Sequence, residues 1–348
     1  MGFSLPPKVS LAVLPTRLER LDRYSARLGR NVWIKRDDLT EAGAGGNKLR
    51  KLEYLIAAAL EAGADTLVTC GGIQSNHART TAIAGARLGL KSVLVLRGAP
   101  EDALEGNYLL DRLVGAEVIF VSAEEYERRD EVMARVADDL RARGRNPYVI
   151  PEGGSNTLGA MGYVEMVREL KGQLDAQGVT LDSIVCCLGS GGTLAGVLMG
   201  VALHGLPARS YGVLIQRDAR YFTGCLDALF EDAVRDLAFP VRVPRGEIRI
   251  IEGYAGPGYG LNTPEELSLI AGLAREEGVL LDPVYTGKTF LALDDLLRTG
   301  NPPADALGQN ILYIHTGGIF GLFPKRDALE AALGDDHRDA GTRENPGR

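Results

Sequence analysis

Short apolar runs alternate along the chain with segments whose apolar residues recur at the 3.6-residue period of an α-helix. Apolar runs of three to six residues are typical of strands that are buried on both faces of a parallel sheet. The predicted strands span residues 66–69, 92–96, 117–121, 148–150, 183–188, 211–215 and 311–314. The predicted helices span residues 76–88, 108–113, 124–143, 159–170, 194–204, 264–277 and 290–297. This alternation predicts an α/β protein with parallel sheets that helices cover on both faces.

No stretch rich in Pro, Gly and Ser divides the chain. A second lobe is therefore expected to be inserted into the first rather than to follow it. Residues 335–348 are polar and contain Pro and Gly, which predicts a disordered tail.

The composition is that of an ordinary globular protein with a large core. The chain has 348 residues, of which 45% are hydrophobic and 24% are charged. Its formal net charge of −7 provides no basic surface for nucleic acid or for an anionic membrane. No window approaches the roughly 20 apolar residues that span a bilayer, and the first 14 residues do not resemble a secretion signal. We therefore expect a cytoplasmic protein that binds neither nucleic acid nor membranes.

The four cysteines lack the paired spacing of metal ligands, and so do His77 and His315. Cys186 and Cys187 lie in a predicted strand, where a free cysteine behaves as a small hydrophobe. We expect no metal site, and we expect all four cysteines to be reduced and structural.

A lysine lies between two glycines and the predicted start of a helix, in the stretch Gly45-Gly46-Asn47-Lys48. A free lysine amine has a pKa of about 10.4, so a nucleophilic lysine requires burial or cationic neighbours that favour its neutral form. Arg50 and Lys51 could supply such neighbours. Alternatively, the three basic side chains form the solvated first turn of the helix.

The predicted strand 183–188 leads into a glycine-rich loop and then a helix. The loop, which we call the phosphate loop, consists of Gly189, Ser190, Gly191, Gly192 and Thr193. Backbone amides that converge in such a loop bind phosphate together with the positive end of the following helix. The Gly-x-x-x-x-Gly-Lys-Ser/Thr pattern is missing, which disfavours a nucleotide. A tight turn without a ligand is the alternative.

Polar side chains also cluster after the predicted strand 66–69, at Ser75, Asn76 and His77. Ligands of open α/β sheets bind at the carboxyl ends of strands. Either Ser75 or Asn76 could merely cap a helix, but three adjacent polar groups exceed what a cap needs. Three further glycine-rich turns carry polar groups, namely 253–260 with Tyr259, 282–288 with Tyr285 and Thr286, and 315–318 with Thr316.

A reactive lysine, a phosphate loop without nucleotide features and an α/β frame suggest one cofactor in combination. Pyridoxal 5′-phosphate is a phosphorylated aldehyde that enzymes bind covalently through a lysine. The combination is far more specific than any of its parts.

From about Leu14 to Phe323 the chain resembles the D-cysteine desulfhydrases and their sister enzymes, the 1-aminocyclopropane-1-carboxylate (ACC) deaminases. Both belong to the tryptophan-synthase-β-like (fold type II) pyridoxal-phosphate enzymes. The matching motifs are 34–39, 45–48, 71–77, 151–156, 189–193, 281–288 and 315–318. The resemblance implies two open twisted sheets, with a larger lobe of residues 1–50 and 162–334 and a smaller inserted lobe of residues 51–161. It also implies a homodimer with the active site between the lobes.

The resemblance assigns a role to each candidate site residue. Lys48 would bind the cofactor covalently and move protons. The phosphate would be held by Lys51 and by the phosphate loop, and Asn76 would hydrogen-bond the phenolic oxygen of the cofactor. Ser75, Asn76 and His77 would hold the substrate carboxylate, and Tyr259 and Tyr285 would face the reacting amino acid. Thr286 and Thr316 would lie near the pyridine ring.

Those two threonines favour one sister activity over the other. ACC deaminases carry Glu at the position of Thr286 and Leu at the position of Thr316. A carboxylate near the pyridine nitrogen makes the ring strongly electron-withdrawing, which suits the cleavage of a cyclopropane bond. A neutral hydroxyl suits the loss of a thiolate, since the leaving group takes the electrons itself. The sequence therefore predicts a lyase that converts D-cysteine to pyruvate, hydrogen sulfide and ammonia by β-elimination.

Three alternatives stay open. ACC deaminase and L-cysteate sulfo-lyase activities share this frame, and Arg217 or Arg220 could reach a second anionic group on the substrate instead of being surface charges. The substrate assignment also meets one departure from the family pattern, since relatives often carry Gln where this chain has Thr80. A non-catalytic protein that binds pyridoxal phosphate or an amino acid is the alternative from another class.

Overall fold

Two sheets organise the chain, which a computed structural model describes over residues 3–100 and 102–333. The strands are β1 Leu18–Arg20, β2 Asn31–Arg36, β3 Thr66–Gly72, β4 Lys91–Arg97, β5 Glu117–Val121, β6 Pro147–Val149, β7 Ser183–Leu188, β8 Arg209–Leu214, β9 Arg249–Ile251 and β10 Asn310–His315. The larger sheet has the order β1-β2-β10-β7-β8-β9, and the smaller has the order β5-β4-β3-β6. Of the described strand pairs, β1–β2 is antiparallel and all others are parallel.

Helices cover both sheets, as expected for parallel strands that need crossover connections. They are α1 Asp22–Leu28, α2 Asn47–Glu61, α3 Asn76–Arg87, α4 Gly106–Leu113, α5 Ala123–Glu127, α6 Arg129–Ala142, α7 Thr157–Gln177, α8 Gly192–His204, α9 Ala219–Leu237, α10 Pro264–Glu277, α11 Thr286–Thr299, α12 Ala304–Leu307 and α13 Arg326–Leu333. None of the described helices has the length and apolarity that a bilayer crossing requires.

The structure confirms the predicted α/β class with two mostly parallel sheets. All four strands of the smaller sheet lie in the sequence between β2 and β7 of the larger one. The predicted lobe limits at residues 50/51 and 161/162 remain a prediction. The predicted disordered tail, 335–348, lies outside the described residues.

Two close helix crossings, of α2 with α7 and of α7 with α8, hold together the helices that carry the candidate site residues. Gly162 of α7 lies against the backbone of Arg50 in α2, where an added Cβ would be 2.6 Å from the Arg50 carbonyl carbon. Gly196 of α8 lies against the backbone of Ala160 in α7. Real Cβ atoms do not approach this closely, so glycine is required for α2, α7 and α8 to pack together.

A buried ionic network fixes the first turns of α2 next to α7. The Arg50 guanidinium donates two hydrogen bonds to Asp37, at 2.8 and 2.9 Å, and two to Glu169, both at 3.0 Å. The Tyr163 hydroxyl also donates to Asp37, at 2.7 Å. Burial alone would raise the pKa of Asp37, but the charge and hydrogen bonds of Arg50 outweigh it and hold that pKa below its usual value.

Candidate functional site

Lys48 lies in the first turn of α2, at the carboxyl end of β10. Gly46 precedes the helix at φ 120°, a conformation that L-residues with side chains rarely adopt. The amide of Asn47 donates to the carbonyl of Thr316 at 3.0 Å, immediately after β10 ends. The local sequence thus places the lysine at the strand edge where ligands of open α/β sheets bind.

A cavity of about 390 Å³ surrounds Lys48 and extends to the protein surface. The predicted site residues that line it are Lys48, Ser75, Asn76, His77, Gly189, Ser190, Gly191, Thr193, Tyr259, Tyr285 and Thr316. The chain therefore brings together groups that lie more than 250 residues apart in sequence. Lys51, Gly192 and Thr286 are not among the lining residues.

Burial lowers the pKa of Lys48, against the attraction of Cys187, Glu152 and Asp282. The amine is therefore closer to its neutral, nucleophilic form at physiological pH than a solvated lysine is. The expectation that Arg50 contributes to this effect is wrong, because Arg50 binds Asp37 and Glu169 in the buried network. Desolvation, rather than a cationic triplet, activates the lysine.

The phosphate loop leads from β7 into the amino terminus of α8. Gly191 adopts φ 87°, which requires glycine, and the Ser190 hydroxyl hydrogen-bonds the Ser155 hydroxyl at 2.8 Å. Lys51 donates to the Ser155 hydroxyl and to the Gly153 carbonyl, each at 3.2 Å. Burial and then the charge of Lys48 hold the pKa of Lys51 well below its usual value. An anion bound at this loop would restore the positive charge of Lys51.

The second polar cluster forms the amino terminus of α3. The Ser75 hydroxyl caps this helix by accepting from the amide of Ala78 at 3.2 Å. His77 is buried, and its Nε2 pairs with the Thr69 hydroxyl at 2.8 Å, which leaves Nδ1 without a partner among the described residues. Burial, followed by the charges of Lys48 and Lys51, holds the pKa of His77 well below its usual value.

Hydrogen bonding fixes which way the Asn76 amide points. The Arg79 guanidinium can only donate, and it donates to Asn107 Oδ1 at 2.9 Å. Asn107 Nδ2 must therefore be the donor to Asn76 Oδ1, at 3.0 Å. Asn76 Nδ2 remains as a donor on the cavity side, beside Gly318.

Tyr259 and Tyr285 meet across the cavity wall. Their hydroxyls hydrogen-bond each other, and their rings pack edge to face with centroids 5.8 Å apart. Burial raises the pKa of Tyr259 to about 12 and that of Tyr285 well above its usual value. Both hydroxyls are therefore protonated at physiological pH.

The two threonines of the sequence argument have different surroundings. Thr316 contributes to the cavity wall. Thr286 is buried at the start of α11, and its hydroxyl donates to the Asp282 carboxylate at 2.7 Å. Asp282 also accepts from the amides of Val284, Tyr285 and Thr286 at 2.7–3.1 Å. The hydroxyl hydrogen of Thr286 is thus used in a hydrogen bond within the protein.

Several cavity residues were not found by sequence reasoning. They are Arg97, Tyr126, Arg129 and Glu152, which lie in the sequence between β3 and α7, and Cys187 and Cys225, which the sequence predicts to be structural. Burial raises the pKa of Cys187 to about 12, so it is a neutral thiol. Arg97 ends β4, and its position at a strand carboxyl end is the one signal that could have found it. Arg217 lines the cavity and pairs with Glu127 at 3.0 Å, whereas Arg220 is exposed and outside it.

The model of the family described as pyridoxal-phosphate dependent enzyme matches residues 9–317. The chain belongs to this family. It is 44% identical over 323 residues to a protein of Thermotoga maritima that is provisionally named 1-aminocyclopropane-1-carboxylate deaminase, and the match covers 92% of this chain and 99% of that protein. It is 41% identical over 324 residues to the D-cysteine desulfhydrase of Klebsiella pneumoniae, with 91% of this chain and 95% of that protein covered.

The crystal structure of an ACC deaminase homologue matches the chain with a TM-score of 0.86 and 42% identity, and the match covers 94% of this chain and 97% of that one. These similarities confirm the family, the fold and the cofactor that the sequence predicted.

The chemical groups of the site residues match those that pyridoxal phosphate requires. An aldehyde requires a desolvated amine, which Lys48 provides. A phosphate requires converging amides and a cation, which the phosphate loop, the start of α8 and Lys51 provide. A phenolic oxygen requires a fixed donor, which Asn76 Nδ2 provides.

Proposed function

We propose that this pyridoxal-phosphate-dependent enzyme is a lyase that converts D-cysteine to pyruvate, hydrogen sulfide and ammonia. The observation that carries the proposal is one cavity that combines a desolvated lysine, a phosphate loop and two protonated tyrosine hydroxyls. When bound, the cofactor supplies an electron sink that acidifies the α-carbon of an amino acid. The relative named D-cysteine desulfhydrase supports the substrate assignment.

In this proposal Lys48 would hold the cofactor, and its Nζ takes the α-proton of the substrate. A desolvated neutral amine is a suitable base because its pKa lies nearer the working pH than that of a solvated lysine. Ser75, Asn76 and His77 bind the substrate carboxylate at the start of α3, where the helix dipole favours an anion. The Thr69 hydroxyl donates to the Ile150 carbonyl at 2.9 Å, so Nε2 of the neutral His77 ring donates to Thr69 and Nδ1 is an acceptor. His77 therefore binds the carboxylate through its backbone amide in the first turn of α3 rather than through its ring.

The paired tyrosines are the proton donors beside the substrate. Tyr259 and Tyr285 share one hydrogen bond, so one hydroxyl proton lies between the oxygens and the other is free to point into the cavity. Thr316 provides a neutral partner for the pyridine nitrogen, and Thr286 supports the site indirectly by binding Asp282. A neutral partner favours the loss of a β-substituent over the opening of a cyclopropane ring.

Pyruvate formation by the cofactor-loaded protein tests this proposal. D-cysteine, L-cysteine and L-cysteate are assayed for pyruvate, and ACC is assayed in parallel for 2-oxobutanoate, the four-carbon 2-oxo acid that its deamination gives. Lys48→Ala is the blank, and sulfide is measured alongside. Turnover with D-cysteine and equal release of sulfide would support the proposal. Turnover of ACC or L-cysteate alone would replace the substrate assignment with ACC deaminase or sulfo-lyase activity. Absence of turnover with all four substrates would overturn the catalytic assignment and favour a binding protein.

We also propose a homodimer, with residues 1–50 and 162–334 as the larger lobe and 51–161 as the smaller. Exposed apolar side chains on two elements in contact, the region around α4 and residues 319–325, support an interface there. They are Leu104, Leu109, Leu113, Ile319 and Phe323. Sedimentation equilibrium of wild type and of Leu113→Glu tests it, since a charge in the interface would dissociate the dimer. A monomeric wild type would overturn the assignment.

A cytoplasmic location is a further part of the proposal. All four cysteines are free, which suits a reducing compartment. Fractionation of cells that express the full chain tests this location, and recovery of the protein outside the cytosol would overturn it.

A further inference from the structure

The cavity contains three arginines, and their ionic partners differ. Arg129 pairs with Glu152 at 2.9 Å, and Arg217 pairs with Glu127 at 3.0 Å. Within residues 3–100 and 102–333, the Arg97 side chain makes no hydrogen bond and no ion pair. Of the three cavity arginines, Arg97 is thus the one that forms no ion pair with a carboxylate of the described residues.

Aromatic rings hold the Arg97 guanidinium in place. It lies over the Tyr126 ring, 5.4 Å from the centroid, and over the Tyr259 ring, 5.6 Å from the centroid. A guanidinium that two rings position keeps its planar set of donors free for an anion in the cavity. The arrangement therefore offers an anion site with little ordering cost for the side chain.

Arg97 lies near the residues that we assign to the substrate and not at the phosphate loop. Its Nη2 and the Tyr259 ring both lie beside Gly72, where an added Cβ would be 3.9 Å from the former and 3.8 Å from the latter. Gly72 ends β3, three residues before the cluster that we assign to the substrate carboxylate. Arg97 thus flanks the substrate region on the side of Tyr259.

The acidic residues of the cavity leave this charge available. Glu127 and Glu152 are paired with other arginines, and Asp130 is exposed and makes no ion pair with Arg97. A small anion that enters the cavity therefore meets a guanidinium without an ion pair among the described residues, in the same cavity as the desolvated Lys48.

We infer that Arg97 forms the subsite for an anionic substituent on the β-carbon of the substrate. This inference rests on the proposed β-elimination and specifies its substrate class as amino acids whose β-substituent is, or leaves as, an anion. In the elimination of D-cysteine, Lys48 takes the α-proton, a double bond forms between Cα and Cβ, and the Cβ–S bond breaks. Sulfur leaves with both bonding electrons as hydrosulfide, and Arg97 binds that charge. A β-sulfonate or a β-carboxylate would occupy the same subsite.

Two ligands of equal size that differ in charge provide the test. Binding of aspartate and of asparagine, each as both enantiomers, is measured by calorimetry on the cofactor-loaded protein. We expect one enantiomer of aspartate to bind about tenfold or more tightly than its asparagine counterpart, as is typical when a charged hydrogen bond distinguishes two ligands. Arg97→Gln should remove this preference and leave the affinity for asparagine unchanged. Arg97→Lys, which keeps the charge without the planar fork, should retain part of it.

Arg217→Gln is the matched control, because Arg217 also lines the cavity but is paired with Glu127. It should keep the preference for aspartate. Equal binding of aspartate and asparagine by wild type, or a preference that survives Arg97→Gln, would overturn the inference, as would loss of the preference in Arg217→Gln alone. Cofactor absorbance and circular dichroism confirm that each variant is folded and loaded.

The pyruvate assay on the same preparations separates this inference from the proposed function. Charge preference without turnover of D-cysteine would retain the Arg97 subsite and reject the desulfhydrase. Turnover without charge preference would do the reverse.

Discussion

The hydroxyl of Tyr259 hydrogen-bonds the hydroxyl of Tyr285 and so connects the glycine-rich turn 253–260 to the start of α11. In the proposed mechanism each tyrosine therefore acts on the substrate and, through this hydrogen bond, on the position of the other. A change at one of them is expected to alter the catalytic behaviour of the pair.

Tyr259→Phe and Tyr285→Phe should each lower kcat/KM for D-cysteine about 100-fold, the usual scale for loss of a positioned proton-transfer group. Because the hydroxyls act as a unit, the double variant should be little worse than the poorer single one. Steady-state kinetics of the three variants checks this. Losses that multiply in the double variant would show that the hydroxyls act independently.

Lys48→Ala should abolish turnover and leave the fold intact. Among the described residues the Lys48 amine makes no hydrogen bond, so its removal leaves no buried polar group without a partner. Circular dichroism and thermal melting should match wild type, whereas pyruvate formation should fall to background. A variant that retains full activity would contradict the role of this lysine.

Arg50→Met should lower the free energy of unfolding by about 3–5 kcal/mol, because it leaves the buried Asp37 carboxylate without its cation. Urea unfolding of the apoprotein measures the change. Arg141→Met is the control, since it removes an exposed pair with Asp138 and should cost less than about 1 kcal/mol. Equal effects of the two variants would show that the buried network contributes no special stability.

Asp111 predicts an unusual dependence of stability on pH. Its carboxylate is buried without a hydrogen-bond partner among the described residues, and burial raises its pKa to about 8 despite the attraction of Arg79. The folded protein therefore holds a proton that the unfolded chain releases near pH 4. The contribution of the protonated Asp111 to the free energy of unfolding is therefore full below about pH 4 and is lost as the pH rises through about 8.

Asp111→Asn should remove that dependence. The variant should gain about 1–3 kcal/mol over wild type at pH 9, because an ionised and unpartnered buried group is replaced by a neutral amide. Melting temperatures measured between pH 5 and pH 9 would show the gap widening with pH. A constant gap would assign the effect to packing instead of ionisation.

Strongly apolar strands were predictable from sequence, and polar ones were not. β5 and β7 have the predicted limits, 117–121 and 183–188. β2 was not predicted, because Lys35 and Arg36 interrupt its apolar pattern. The structure explains this by the bond from Lys35 to Glu169 at 2.5 Å, a partner 134 residues away that no local pattern indicates.

The same limit applies to helices and to the site. The predicted helix 124–143 is interrupted at Arg128, where α5 ends and α6 begins. Lys48 could be found from local sequence because glycines and helical periodicity mark its position. Arg97 is marked in the sequence only by its place at the end of a strand, and its lack of an ion pair among the described residues cannot be read from the sequence. A local motif can identify a residue that neighbouring glycines and a helix start mark in the sequence. Whether a charged side chain has an ion-pair partner is known only once the chain has folded.

The glycines at the crossings of α2, α7 and α8 limit how this protein can vary. In a library with every substitution at Gly162 and Gly196, even alanine should be depleted, although neither residue touches the cavity. A side chain at either position would push apart the helices that carry Lys48 and the phosphate loop. Attempts to change the substrate range should therefore leave these crossings untouched and vary the residues at the entrance of the cavity.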